Sequence, residues 1–264
     1  MTKFAILTDI HLGPEGRFRG ILRKINKDVK IFLDDFVEEM NGNVKPEFTV
    51  VLGDLVEDDN EANDRNNVGY IVKLLKKLKC PVYYAAGNHD LRNISEKDLA
   101  ELFHYEKLYY SFDSGNLHFI VLFSRASKDE TIRISDEQKE WLQKDLDSTD
   151  RKCVVFVHHG LADQDLTGNP WFEKKPEYCL IENRKEIRHI VSESKKVIAV
   201  FNSHLHWDKK DSHDGIPYFT IQSLVENEGD NGLASETHAV VNIVDDKVDV
   251  EVKGNYAKNF SHQS

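Results

Sequence analysis

Carboxylate, carboxamide and imidazole groups recur along this 264-residue chain in short fragments: Asp9-Ile10-His11, Gly53-Asp54, Gly87-Asn88-His89-Asp90, His158-His159 and His204-Leu205-His206. Each fragment follows a short apolar run. A buried carboxylate or imidazole is costly unless it is paired or metal-bound, so such groups at the ends of successive apolar runs point to one shared polynuclear site. In an open α/β sheet, ligands bind beyond the carboxyl ends of the strands, and Asp9, Asp54, Asn88, His158 and His204 each occupy that position. Two cations sharing an aspartate sit about 3.5 to 4 Å apart, polarise a phosphoryl oxygen and generate hydroxide near neutral pH. The chemistry implied is phosphoester hydrolysis by in-line attack, with charge on the equatorial oxygens stabilised by both cations.

The elements that must carry these groups alternate between strands and helices. Apolar runs at Phe4 to Leu7, Phe48 to Leu52, Val82 to Ala86, Leu117 to Phe123, Cys153 to Val157 and Val197 to Phe201 are short and rich in β-branched or aromatic residues, which predicts buried strands. Ile21, Ile25, Val29, Phe32, Phe36 and Met40 recur at helical spacing and stop at Asn41-Gly42; Val68, Ile71, Val72, Leu75 and Leu78 form a second stripe. Both predict helices with a core-facing side. Ser95 with Asp98, and Ser135 with Gln138, stand at the offset of capping boxes and predict two more helix starts.

After His206 the pattern becomes Pro217 to Gln222, then His238 to Val244 and Lys247 to Val252 around Asp245-Asp246. The last two segments alternate as a hairpin does, and read as the edge of a second sheet, open along Val240 to Val252 to another subunit. Asp163 to Pro176 lacks periodicity but carries Trp171 and Phe172, which suggests a loop over the site. With no internal repeat, low-complexity tract or Pro/Ser-rich linker, residues 1–264 read as a single domain.

A formal net charge of −11 opposes binding to nucleic-acid backbone or anionic lipid. It leaves room for a small phosphorylated substrate, because two divalent cations reverse the local potential. No segment approaches the roughly 18 uninterrupted apolar residues of a membrane span, and the N-terminus reaches Asp9 too early for a secretory apolar region. Cys80, Cys153 and Cys179 are odd in number and far apart, which suits reduced thiols. A cytoplasmic protein is expected, of open oligomeric state.

In their order along residues 9 to 206, Asp-x-His, Gly-Asp, Gly-Asn-His-Asp, His and His-x-His resemble the calcineurin-like metallophosphoesterase superfamily. The resemblance implies an α/β fold, a four-layer αββα sandwich of two mixed sheets flanked by helices. It implies that Asp9, His11 and His206 bind one metal, that Asn88, His158 and His204 bind a second, and that Asp54 bridges them. It gives His89 contact with the substrate and assistance to the leaving oxygen; Asp90 or Glu57 is expected to orient it. His159, next to a ligand, is expected behind the metal or facing substrate. The cofactors are two divalent ions, Mn, Fe, Co or Zn, for which mixed His, Asp and Asn donors are suited.

The chain departs from the family pattern in places. Ser203 stands where glycine is usual, and His158-His159-Gly160 lacks the proline that often follows in related phosphodiesterases. The stretch Gly53-Asp54-Leu55-Val56-Glu57-Asp58-Asp59 offers no arginine of the kind that clamps a monoester dianion in the protein phosphatases. Residues 179–184 and 218–226 are similar to manganese-dependent ADP-ribose and CDP-alcohol diphosphatases. A small phosphodiester or nucleotide-type pyrophosphate is therefore the expected substrate. A phosphomonoesterase is the alternative, and a non-catalytic scaffold a more distant one, since the ligand set is intact.

Overall fold

The apolar runs form strands at Thr2–Leu7, Phe48–Val51, Val82–Tyr84, Leu117–Val121, Lys152–Phe156 and Val197–Asn202 in the computed structural model, which describes residues 1–127 and 131–263. They divide between two six-stranded sheets. The first runs Lys258–Gln263, Lys247–Lys253, His238–Val244, Thr2–Leu7, Phe48–Val51, Val82–Tyr84. Its last three strands are parallel and the rest antiparallel. The second runs Lys209–His213, Ile216–Thr220, Val197–Asn202, Lys152–Phe156, Leu117–Val121, Tyr110–Ser114, antiparallel only at its two edge pairs.

Successive side chains of a strand face opposite ways, and this sorts the core into layers. Phe4, Ile6, Phe48 and Val50 point at Phe119, Phe156, Phe201 and Phe219 of the second sheet. Phe4 stacks on Phe48 at 5.0 Å and meets Phe119, Phe156 and Phe201 edge-on at 5.7, 5.7 and 5.8 Å. Each such pair adds about 0.5–1.5 kcal/mol beyond its buried area. Ala5, Leu7 and Val51 face the other way, onto helices α1 (Val29–Glu39), α2 (Glu61–Leu75) and α3 (Glu96–Phe103). Ile120, Val155 and Val200 likewise face α4 (Asp136–Asp147) and α5 (Arg184–Glu193). The expected αββα sandwich results, and strands buried on both faces explain why the runs read as continuously apolar. Ser95 and Ser135 cap α3 and α4, accepting from the backbone N–H of Asp98 and Gln138, both at 3.2 Å.

Three expectations about the elements need correction. The stripe starting at Ile21 is not one helix: Gly16–Phe18 and Ile21–Lys24 form a small hairpin, turned by Arg19 and Gly20 at φ of 51° and 83°. Asn26 then donates to the carbonyls of His11 and Pro14 at 2.8 and 2.7 Å, so α1 begins only at Val29. At its other end the helical path does not stop at Asn41-Gly42 but continues as a π turn, Met40–Val44. The C-terminal hairpin lies in the first sheet beside Thr2–Leu7, where Ala239, Val241, Ile243, Val248, Val250 and Val252 reach the inter-sheet core. Its outer edge is not open, because Lys258–Gln263 pairs with it.

Cys80, Cys153 and Cys179 are free thiols. Burial pushes Cys153 and Cys179 up to about 12, too high for ready thiolate chemistry. Among the described residues no helix is long and apolar enough to cross a membrane.

Candidate metal centre

Five of the candidate ligands have left-handed backbone: Asp9 and His11 at φ 48°, Asp54 at 51°, His204 at 67° and His206 at 52°. Each such non-glycine residue costs on the order of 1–3 kcal/mol and persists only where its surroundings over-determine it. The determination is visible in the backbone, where Asp9 N–H donates to Gly53 O and His11 N–H to Asp54 O, both at 3.0 Å. Gly53 and Gly87 let the loops meet. A Cβ at Gly53 would lie 2.6 Å from Gly87 N, and one at Gly87 would lie 2.1 Å from Asp54 Oδ1.

The donor atoms gather in overlapping groups. Those of Asp9, His11 and His206 lie within 4.8 Å of one another, as do those of His158, His159 and His204; Asp9, Asp54 and His158 form a third group linking the two. His11 Nε2 is 3.2 Å from His206 Nε2, which is 3.3 Å from Asp9 Oδ1. Asp54 Oδ2 lies 3.2 Å from His158 Nε2 and 3.9 Å from His11 Nε2, between the groups. Its Oδ1 is fixed by the N–H of His89 at 2.9 Å.

Each imidazole is oriented by an acceptor on its outer nitrogen. His11 Nδ1 faces Glu57 Oε2 at 2.9 Å, His158 Nδ1 donates to Leu52 O at 2.8 Å, His204 Nε2 to Tyr178 O at 2.9 Å and His206 Nδ1 to Glu226 Oε2 at 2.7 Å. That leaves the opposite nitrogen to face inward, the arrangement that fixes ring orientation and raises basicity in metal sites. Among the described residues Asn88 Oδ1 and His204 Nδ1 are buried without a hydrogen-bond partner, while Asp9 Oδ1, Asp54 Oδ2 and His158 Nε2 are buried with only charged contacts to one another and to His206 and His11. A buried polar atom without a partner costs about 1–3 kcal/mol. A set of oxygen and imidazole donors in this condition fits divalent cations of the Mn, Fe, Co and Zn type.

Charge is distributed unevenly over the candidate ligands. Burial depresses the imidazolium of His158 but the Asp54 carboxylate outweighs it, raising His158 to about 9; bonding to Asp9 and Glu226 does the same for His206, also about 9. Burial and Lys24 hold His11 down at about 4, and burial with the charge of His158 holds His204 at about 3. Asp54 stays well below the usual carboxylate range, since His158 overcomes the opposing effect of burial.

The remaining candidates have distinct surroundings. His89 Nδ1 is 2.9 Å from Asp58 Oδ1 and 3.7 Å from Glu57 Oε2. Burial and Lys24 lower its pKa, but Asp54, Asp58 and Glu57 hold it above the ordinary imidazole value. Asp90 points elsewhere: it accepts from the N–H groups of Leu55 at 2.7 Å and Gly87 at 2.9 Å, so it shapes the ligand loops rather than orienting His89. Glu57 is taken up by His11 and by Lys24 Nζ at 2.6 Å. His159 Nδ1 sits 2.7 Å from Ser124 Oγ, its ring 4.4 Å from that of His204. Ser203 is accommodated, its Oγ donating to Leu52 O at 3.2 Å and lying 3.1 Å from His158 Nδ1. The loop Asp163 to Pro176 does reach the site, bringing the rings of Trp171 and Phe172 5.5 and 5.0 Å from those of His206 and His204.

Sequence reasoning missed three of these neighbours. Lys24 is buried, with Nζ 3.4 Å from His11 Nδ1 and from His89 Nε2; Glu226 supports His206 and Asp58 supports His89. None stands at a motif spacing, and no signal short of the fold identifies them.

A model of the calcineurin-like phosphoesterase family matches residues 2–208. The chain is 28% identical over 206 residues, 77% of its length and 72% of the relative's, to a Fibrobacter succinogenes protein named a probable cyclic nucleotide phosphodiesterase. It is 28% identical over 218 residues, 74% of its length and 64% of the relative's, to a Danio rerio protein named serine/threonine-protein phosphatase CPPED1. The fold is similar to the crystal structure of a dimetal phosphatase from Danio rerio, with a TM-score of 0.80 at 16% identity, covering 99% of this chain and 98% of that one. The matched span contains every candidate ligand, and the chain belongs to the calcineurin-like phosphoesterase family of metal-dependent hydrolases.

Proposed function

We propose that this chain hydrolyses a small phosphodiester or a nucleotide-type pyrophosphate. Two divalent cations, Mn, Fe, Co or Zn, would be held by Asp9, His11 and His206 on one side and by Asn88, His158 and His204 on the other, with Asp54 shared. The reading is carried by the convergence of buried donor atoms, Asn88 Oδ1 and His204 Nδ1 without a hydrogen-bond partner among the described residues and Asp9 Oδ1, Asp54 Oδ2 and His158 Nε2 facing only other candidate ligands. When bound, such cations polarise phosphoryl oxygens and acidify a water.

His89, fixed through Nδ1 by Asp58 at 2.9 Å, has its Nε2 beside Lys24 Nζ at 3.4 Å and would give a proton from that nitrogen to a departing oxygen. Glu57 and Glu226, on the outer nitrogens of His11 and His206, leave the opposite nitrogens to face inward and would hold those rings for the cations. A diester is favoured over a monoester on charge. Lys24, beside the cluster, is tied to Glu57 at 2.6 Å, and residues 54–59 include no arginine, so that stretch offers the extra charge of a monoester dianion no bidentate partner. The half-buried rings of Trp171 and Phe172 suit a nucleobase, and the relative named a probable cyclic nucleotide phosphodiesterase supports the same substrate class. The relative named a protein phosphatase keeps a phosphomonoesterase as the second reading. Free thiols fit a reducing, cytoplasmic setting.

Comparing kcat/KM for bis-nitrophenyl and mono-nitrophenyl phosphate with Mn2+ separates the two. The diester is expected to be the better substrate, and a clear preference for the monoester would overturn the assignment.

A further inference from the structure

One loop holds the segment 204–206 at three points, bonding His204 and Leu205 directly and His206 through Glu226. Tyr178 O accepts from His204 Nε2 at 2.9 Å. Asn169, itself buried, donates from Nδ2 to Leu205 O at 2.8 Å. Trp171 Nε1 donates to Glu226 Oε2 at 3.0 Å, the same oxygen that accepts from His206 Nδ1 at 2.7 Å. Asn169 also organises the loop internally, its Oδ1 accepting from the N–H groups of Trp171 and Phe172 at 3.0 and 2.9 Å.

These bonds set which nitrogen each histidine turns inward. A carbonyl on His204 Nε2 demands a proton there and frees Nδ1; a carboxylate on His206 Nδ1 frees Nε2. His204 and His206 also sit at φ of 67° and 52°, a backbone state that needs outside support, and this loop contributes to it through Asn169 at Leu205 O. We infer that the segment 166–179 is a positioning clamp for the metal centre, with Asn169 and Trp171 as positioning residues, and that cation binding and closure of this loop stabilise each other. The inference rests on the two-cation site proposed above. Coupling of this kind is reciprocal: whatever loosens the loop weakens the cations, and removing the cations loosens the loop.

Trp171→Phe tests it, keeping an aromatic ring against Phe18, now stacked at 4.8 Å, while removing the N–H that reaches Glu226. Titration calorimetry with Mn2+ is expected to give two sites in the unaltered chain. In the variant, the site that includes His206 should weaken measurably, by less than the roughly 10-fold that loss of a partner directly behind a ligand costs, because Glu226 still holds His206 Nδ1, and the other should hold its affinity. Asn169→Ala, which releases Leu205 and both aromatic residues, is expected to weaken both sites. Hydrogen exchange adds a reading without turnover: Mn2+ should slow exchange of the 166–179 amides in the unaltered chain, and less so in Trp171→Phe. Wild-type affinities at both sites in Trp171→Phe, or loop exchange indifferent to Mn2+, would overturn the clamp. Failure of the unaltered chain to bind two cations would instead overturn the site on which it rests.

Discussion

Gly87→Ala should disable the centre without replacing a candidate ligand. A Cβ at this position meets Asp54 Oδ1 at 2.1 Å, Asp54 N at 2.3 Å and Asp54 Cγ at 2.8 Å, where ordinary contact begins at 3.4 Å. Two of these atoms belong to the carboxylate and one to the backbone, so no side-chain rotation relieves all three. The Asp54 and Gly87 loops must separate by roughly 1 Å, a misplacement that costs about 10² in rate. That corresponds to about 2.7 kcal/mol of lost transition-state stabilisation, alongside about 1–3 kcal/mol of stability from overpacking. Gly69→Ala is the control: it lies inside α2 with nothing within 4 Å of the added Cβ, and should stabilise the chain by about 0.5–1 kcal/mol with activity intact. Diester hydrolysis, bound Mn2+ and thermal melting would be measured on both variants. A Gly87→Ala enzyme with kcat within about twofold of wild type and both cations retained would refute the steric argument, given that 10² is expected.

His89→Ala should lower kcat by about 10² to 10⁴ while sparing the cations, with a smaller loss for good leaving groups such as nitrophenolate; equal losses across leaving groups would argue against proton donation. His118 lies between Asp145 Oδ2 at 2.9 Å and Asp113 Oδ1 at 2.8 Å, and its bond to Asp145 raises its pKa against the effect of burial. A folded pKa above the unfolded 6.5 stabilises fully below about 6.5 and fades as pH rises through the folded value. His118→Gln should therefore depress Tm more at about pH 5.5 than at about pH 9, and an equal depression at both would sink the linkage.

Legibility in the sequence followed the range of the interaction that decides each feature. Strands such as Val197–Asn202 are set by local apolar runs, and the caps at Ser95 and Ser135 by residues three apart, so both could be read directly. The motif residues were readable because each follows its strand within a few positions. Helical spacing from Ile21 to Val29 was accidental, and the Arg19-Gly20 turn overrode it. Lys258–Gln263 escaped notice because an edge strand with one apolar residue, Phe260, carries almost no pattern. The placing of His238–Val244 beside Thr2–Leu7 depends on partners at opposite ends of the chain. The same holds within the site: Glu226 reaches His206, and Asp58 rather than Asp90 reaches His89, through contacts that only the folded loops create.

The central claim is a pair of cations held through Asp54, and metal content measured together with diester turnover tests it most directly. The purified chain should carry about two equivalents of divalent metal, lose bis-nitrophenyl phosphate hydrolysis on chelation and regain it with Mn2+. Asp54→Ala, which removes the carboxylate lying 3.2 Å from His158 Nε2 and 3.9 Å from His11 Nε2, should lose affinity for both metals and all turnover. Hydrolysis that survives chelation, or an Asp54→Ala enzyme holding both cations and turning over near the wild-type rate, would contradict the account.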